Sequence, residues 1–108
     1  MIEFSDFERV EIHVGTVLSA QPNPKARRPA YVLEVDFGPL GIKTSSAQIT
    51  EHYRPEDLIG TQVAAVVNFA PKRIAGVQSE VLILASVGND GTVLLAPTRR
   101  VADGSRVA

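Results

Sequence analysis

Hydrophobic and polar positions alternate along some stretches of this chain and run together in others, and the two patterns predict strands in different surroundings. Val10, Ile12 and Val14 alternate with Glu11, His13 and Gly15, the period of two expected for a strand with one buried face. Val17 and Leu18 break that register, and Gly15 is read as a bulge or sharp bend. Tyr31, Leu33, Val35 and Phe37 alternate with Val32, Glu34 and Asp36, a second strand ending at Gly38-Pro39. Gly41 to Ile49 reads as a third, unusually polar strand. Val63 to Val67 and Val81 to Ala85 are continuous apolar runs, the mark of strands covered on both faces. Asn89-Asp90-Gly91 is a hairpin turn from which Thr92 to Ala96 returns.

The punctuation between strands is equally readable. Gln21-Pro22-Asn23-Pro24 is a turn, and Arg54-Pro55-Glu56-Asp57-Leu58 opens a short helix that stops at Gly60. Ser5-Asp6-Phe7-Glu8 has capping-box spacing and predicts a short N-terminal helix with Phe4, Phe7 and Val10 on one stripe. So short a helix must dock on something to persist in water. The tail from Pro97 carries an Asp103-Gly104 turn and leaves Val101 and Val107 to bury. Strand, strand, strand, helix, strand, strand is the order of an oligonucleotide/oligosaccharide-binding (OB) barrel. The expected fold is therefore all-β: a five-stranded OB-fold barrel with short helices and N- and C-terminal extensions, residues 1–108 forming one domain.

Composition narrows the function more than the fold. Hydrophobic residues make up 44% and charged ones 21%, as in an ordinary globular protein. With no cysteine and two histidines, a disulfide framework, a thiolate metal site and a cysteine nucleophile are excluded. No phosphate loop, nucleophile elbow or His-Glu-x-x-His motif occurs, and Glu34 with Asp36 reads as a solvated edge. The expectation is a non-enzyme without metal or cofactor. No stretch reaches the roughly 18 apolar residues of a membrane span, and the acidic N-terminus lacks a signal-peptide layout. Cytoplasmic location without membrane insertion follows as an expectation.

Formal net charge is −1, but residues 1–60 carry −3 and residues 61–108 carry +2. Lys25, Arg27 and Arg28 cluster in the first long loop, and Lys72 and Arg73 in another. Together these five are candidates for phosphate contacts in a nucleic-acid-binding mouth. Aromatic residues are only 6%, and Phe37 and Phe69 are expected in the core, so stacking platforms are scarce. Lys43-Thr44-Ser45-Ser46-Ala47-Gln48 suggests something else. A strand of small hydroxyls and an amide forms a poor core but an open face offering donors and acceptors to an extended chain. Asn68, Phe69 and Pro71 would close the same face.

Three segments carry a family resemblance. Asp6-Phe7-Glu8-Arg9-Val10-Glu11-Ile12-His13-Val14-Gly15-Thr16-Val17, Lys43-Thr44-Ser45-Ser46-Ala47-Gln48-Ile49 and the run from Val66 through Asn68-Phe69-Ala70-Pro71-Lys72-Arg73-Ile74-Ala75-Gly76 to Leu82 resemble the free-standing tRNA-binding-domain superfamily. Within it the chain is most similar to the CsaA branch of bacterial export chaperones. The resemblance implies an OB-fold, a homodimer formed through the N-terminal helix and C-terminal extension, and binding of unfolded or precursor polypeptides on the way to secretion. tRNA-binding relatives carry arginine where His13 stands, Ser-Gly in place of Ser46-Ala47 and Ser-x-Gly-Met in place of Ser79-Glu80-Val81-Leu82. These departures are expected to tilt the groove from polyanion toward polypeptide: neutral imidazole cannot replace a guanidinium, and Glu80 repels phosphate.

The sequence thus predicts an ATP-independent molecular chaperone assisting protein export. Its expected peptide-binding residues are Lys43, Ser45, Ser46, Gln48, Asn68, Phe69, Pro71, Lys72, Arg73, Ile74 and Ser79. The alternative is a tRNA-binding or structured-RNA-binding module acting through Lys25, Arg27, Arg28, Lys72 and Arg73. Phe4, Phe7, Val10, Val101 and Val107 are the expected homodimer interface. The partners expected are the second subunit, the client polypeptides, the export machinery and, more weakly, tRNA.

Overall fold

One long strand organises the sheet. The computed structural model describes residues 1–108, and β1 runs over Ile12–Pro22. Its first half pairs antiparallel with β4 (Gln62–Val66) and its second half with β2 (Tyr31–Asp36). β2 in turn pairs with β3 (Ile42–Ala47), and β4 with a two-residue strand β7 (Leu82–Ile83). The sheet order is β3-β2-β1-β4-β7, the strand arrangement expected of an all-β OB barrel. Two short helices, α1 (Phe4–Glu8) and α2 (Pro55–Leu58), flank it, with a 3-10 turn over Gly38–Leu40. Two hairpins stand off the barrel: β5 (Lys72–Ile74) with β6 (Val77–Ser79), and β8 (Ala85–Gly88) with β9 (Gly91–Leu94). At the C-terminus β10 (Arg106–Val107) adds to β1 beyond the point where β2 ends.

The core follows from the alternation. Leu33, Val35 and Phe37 point inward from the second strand and its end, against Val17, Val63 and Ala65, with Ile49, Leu58, Val81 and Ile83 closing the barrel ends. Each fully buried aliphatic or aromatic side chain contributes about 1.5–3 kcal/mol. Val63 to Val66 are all buried, as the continuous apolar run predicts. The second apolar run behaves differently. Val81 and Ile83 are buried, but Leu82 between them is exposed, because the strand is only two residues long and nothing covers its outer face.

Local details depart from expectation for identifiable reasons. The α1 cap lies two residues upstream of Ser5: the Asp6 carboxylate accepts from the Glu3 N–H at 2.9 Å. The irregularity in β1 falls between Val17 and Ser19, not at Gly15. Gly15 instead allows close approach. A Cβ there would stand 2.7 Å from Val35 Cγ1 and 2.8 Å from the Asp36 carbonyl. The β5–β6 hairpin and β10 were not foreseen; both are too short to show a period, and β10 owes its place to the Gly104 N–H, which donates to the Val14 carbonyl at 2.7 Å.

Gly15→Ala is expected to destabilise the fold by about 1–3 kcal/mol, the usual cost of overpacking. Gly88→Ala, where an added Cβ meets nothing within 4 Å, should stay within about 0.5 kcal/mol. Urea unfolding of both variants checks the pair.

Candidate functional site

The outer edge of β3 closes the barrel. Thr44 N–H donates to Glu80 Oε1 at 3.0 Å, and Glu80 N–H donates back to the Thr44 carbonyl at 2.8 Å. Ser46 N–H donates to Ser79 Oγ at 3.2 Å, and Ser45 Oγ–H to the Val81 carbonyl at 3.0 Å. An edge strand leaves main-chain groups in need of partners; here residues 79–81 supply them, and small hydroxyl side chains let that segment approach. Lys43 to Gln48 is therefore not one continuous open ribbon. Its middle is occupied by the chain itself, and Ser45 is 1% exposed, a core residue rather than a groove residue.

Beyond Ser46 the edge is open. Gln48, Ile49 and Thr50 form no hydrogen bond with the rest of the chain. Ile49 is buried in the core, whereas Gln48 is exposed and Thr50 half-buried, so the main-chain groups of these two are the ones within reach of a ligand. Three clefts meet at Ser46. An apolar one of about 370 Å³ lies among Phe69, Ile74, Val81 and Leu82, with Lys72 and Ser79 at its sides. A basic one of about 430 Å³ lies among Lys25, Arg27, Arg28, Gln48 and Ala75. A larger groove of about 800 Å³ is lined by Gln48, Thr50 and Glu51, by Leu82 of β7 and by Val87 and Thr92 of the β8–β9 hairpin. Phe69, Leu82 and Ile74 are 57%, 50% and 39% exposed, an unusual concentration of large apolar groups in water.

Two local features hold this arrangement. Ala75 and Gly76 form the β5–β6 turn with φ of 47° and 81°, the left-handed pair a two-residue hairpin demands. Asn23 Nδ2 donates to the Ala75 carbonyl at 3.3 Å, and the Lys25 stem lies across Gly76. The first long loop is thereby fixed against the hairpin tip, which brings Lys25, Arg27 and Arg28 beside Ile74.

Of the peptide-binding candidates, Ser46, Gln48, Phe69, Lys72, Ile74 and Ser79 come together in these clefts. Arg73 alternates with Lys72 and Ile74 on β5 and so falls on the opposite face, while Lys43 and Pro71 line none of the clefts. Asn68 does structural duty. Its Oδ1 accepts from Glu11 N–H at 3.0 Å and its Nδ2 donates to the Arg9 carbonyl at 2.8 Å, which clamps the chain leaving α1. His13 lies away from the groove, its Nδ1 2.8 Å from the Gly104 carbonyl beneath the C-terminal strap. It lines none of the three clefts, so it is not among the groups that would touch a phosphate held there. Phe69, expected in the core, is exposed.

Electrostatically the cleft of Lys25, Arg27 and Arg28 is basic with no acidic residue in its lining, while Glu80 lines the apolar cleft and Glu51 the third groove. The only ion pairs between formally charged side chains are those of Arg54 with Glu56 and Asp57; the His13 ring comes no closer than 3.9 Å to the Glu11 carboxylate. Lys25, Arg27, Arg28 and Lys72 have no acidic partner. The Arg54 guanidinium, held above its ordinary pKa chiefly by its hydrogen bond to Asp57, lies outside the site. No three histidine or acidic side chains gather in a metal-binding group. Sequence reasoning missed Leu82 and Val87 as groove residues. Alternation inside the run Val81-Leu82-Ile83 was the available signal for Leu82, obscured because every residue in it is apolar.

The family model described as "Putative tRNA binding domain" matches residues 12–106. The chain is 42% identical over 107 residues to a methionine–tRNA ligase of Bacteroides fragilis, covering 98% of this chain but 16% of the ligase. Among solved structures, the chaperone CsaA from Bacillus anthracis superposes with a TM-score of 0.95 at 50% identity, covering 100% of this chain and 99% of that one. A CsaA chaperone protein from Picrophilus torridus gives a TM-score of 0.95 at 42% identity, with 100% of both chains covered.

Glu80→Ala removes the acceptor for the Thr44 amide and is expected to cost about 1 kcal/mol. Hydrogen exchange at Thr44 and Ser46 should accelerate while the amides pairing β1 with β4 stay protected. Unchanged exchange at Thr44 would show that the carboxylate does not hold the seam.

Proposed function

The chain belongs to the tRNA-binding-domain family, and we propose that within it this protein is an ATP-independent molecular chaperone for unfolded or precursor polypeptides. The observation that carries the reading is the exposure of Phe69, Ile74 and Leu82 around one cleft, beside the unpaired main chain of Gln48 and Thr50. An extended client supplies apolar side chains to the first and main-chain hydrogen bonds to the second, so affinity tolerates many sequences. No bond is made or broken; the protein masks apolar surface until the client folds or moves on. Full-length similarity to two solved chaperone structures supports the reading, whereas the chain spans only about one sixth of its ligase relatives. The resemblance to export chaperones extends the proposal to secretory precursors and the export machinery, met in the cytoplasm; no helix is long and apolar enough to cross a membrane.

A second reading, tRNA or structured-RNA binding, is favoured by one observation. Lys25, Arg27, Arg28 and Lys72 face the trough without acidic partners, and Phe69 offers one stacking ring. The chaperone reading is preferred because a net charge of −1 and a single aromatic ring lining the trough are a weak endowment for a polyanion binder.

The chaperone also acts as a homodimer in this proposal. α1 buries none of its five residues, yet a helix that short is unstable unless covered. Phe4 is 73% exposed with its ring 6.1 Å from that of Phe7. Val10 is beside them in sequence, and Val101 and Val107 belong to the C-terminal strap. A two-fold contact would bury these groups on both copies.

Wild-type protein should slow aggregation of a chemically denatured client without nucleotide. Phe69→Ala with Leu82→Ala should weaken peptide binding about tenfold, roughly 1.4 kcal/mol, at unchanged melting temperature. A tRNA gel shift across salt concentrations tests the rival: phosphate contacts require log affinity to fall with log salt by about 0.7–0.9 per contact, and absent binding removes it. Phe4→Asp is expected to turn the dimer into a monomer by sedimentation at micromolar concentration; a wild-type monomer would contradict the dimer.

A further inference from the structure

We propose that the trough selects client segments whose apolar cluster is flanked on one side by acidic residues. The inference rests on the peptide-binding reading and adds a direction to it. The apolar cleft and the basic cleft share Ser46 and Ile74, so they form one trough with chemically distinct ends. At the apolar end, Phe69, Val81 and Leu82 carry no charge, and the two charged side chains in the lining, Lys72 and Glu80, are of opposite sign and leave that end without a net charge. At the other end Lys25, Arg27 and Arg28 converge and no acidic residue lines the wall.

These cations have no ion-pair partner in the chain. A concave wall of one sign attracts the opposite charge and repels its own. An extended client advances about 3.3 Å per residue. Because the two ends share lining residues, the flanking charges must come within a few positions of the apolar cluster. Glutamate or aspartate there pairs with Lys25, Arg27 and Arg28, neutral residues gain nothing, and lysine is repelled. The Gln48 main chain, free at the junction, contributes equally to every flank and so cannot discriminate among them.

The test uses full-length protein and three fluorescent peptides with one shared apolar core, flanked on one side by three glutamates, three serines or three lysines. Anisotropy at low salt should rank glutamate over serine over lysine, with about tenfold between the first two. The gap should narrow as salt rises. Arg27→Glu with Arg28→Glu, checked for folding by circular dichroism, should reverse the order, placing the lysine-flanked peptide above the glutamate-flanked one. Equal affinity for glutamate- and serine-flanked peptides, or a preference that survives in the double variant, overturns the inference and leaves the peptide-binding reading standing. Failure of all three peptides overturns both. Binding of tRNA in place of every peptide, lost in the double variant, identifies the basic end as a nucleic-acid surface and also overturns it.

Discussion

The structure depends on the seam between β3 and residues 79–81. Without the Thr44–Glu80 and Ser46–Ser79 hydrogen bonds the sheet ends in an open edge and the β5–β6 hairpin has no reason to lie over it. With them the barrel closes and the hairpin is carried to the first long loop. Ser46 becomes the meeting point of three clefts. Two of the acceptors in the seam are side-chain oxygens, not the carbonyls of a regular ladder. Barrel closure and the shape of the binding surface are thus set by the same few polar residues.

That double use explains why a strand so poor in apolar side chains sits in a small barrel. The hydroxyls and amides of β3 are not all displayed to solvent. Ser45 turns inward and is satisfied by the Val81 carbonyl, and the edge through Ser46 is spent on closure. What remains for a ligand is the main chain of Gln48 and Thr50 on either side of buried Ile49, with exposed Phe69, Ile74 and Leu82 on one side and unpaired cations on the other. Such a surface has features of a peptide groove and of a nucleic-acid platform. Its apolar groups outnumber its stacking rings, and this balance favours polypeptide.

Sequence patterning carried most of the barrel. Alternation located β2 almost residue for residue, and the apolar run at Val63 placed the covered strand β4. It failed where tertiary contact, not periodicity, decides. Gly15 looked like a bend because glycine in a strand permits one, whereas it is required by the close approach of Val35 and Asp36. Asn68 looked like a groove residue from its neighbours, yet both ends of its amide are drawn to main chain near residues 9 and 11, a contact 57 residues apart in sequence for Glu11. His13 alternated as a surface position but is covered by a strap whose pairing strand has only two residues. For the site, Ser46, Gln48, Phe69, Lys72, Ile74 and Ser79 were legible from local chemistry. Leu82 is hidden in an unbroken apolar run. Arg73 lines none of the three clefts, and a basic pair in the sequence does not reveal which member faces a groove.

The most direct test of the account is an amide chemical-shift titration of the labelled protein with an unfolded polypeptide that carries no nucleic acid. The account predicts that the perturbed amides form one contiguous set: Ser46, Gln48, Thr50, Phe69, Ile74 and Leu82, with little change along β1 or the C-terminal strap. Perturbations confined to other faces of the barrel, with these amides unmoved, would contradict it.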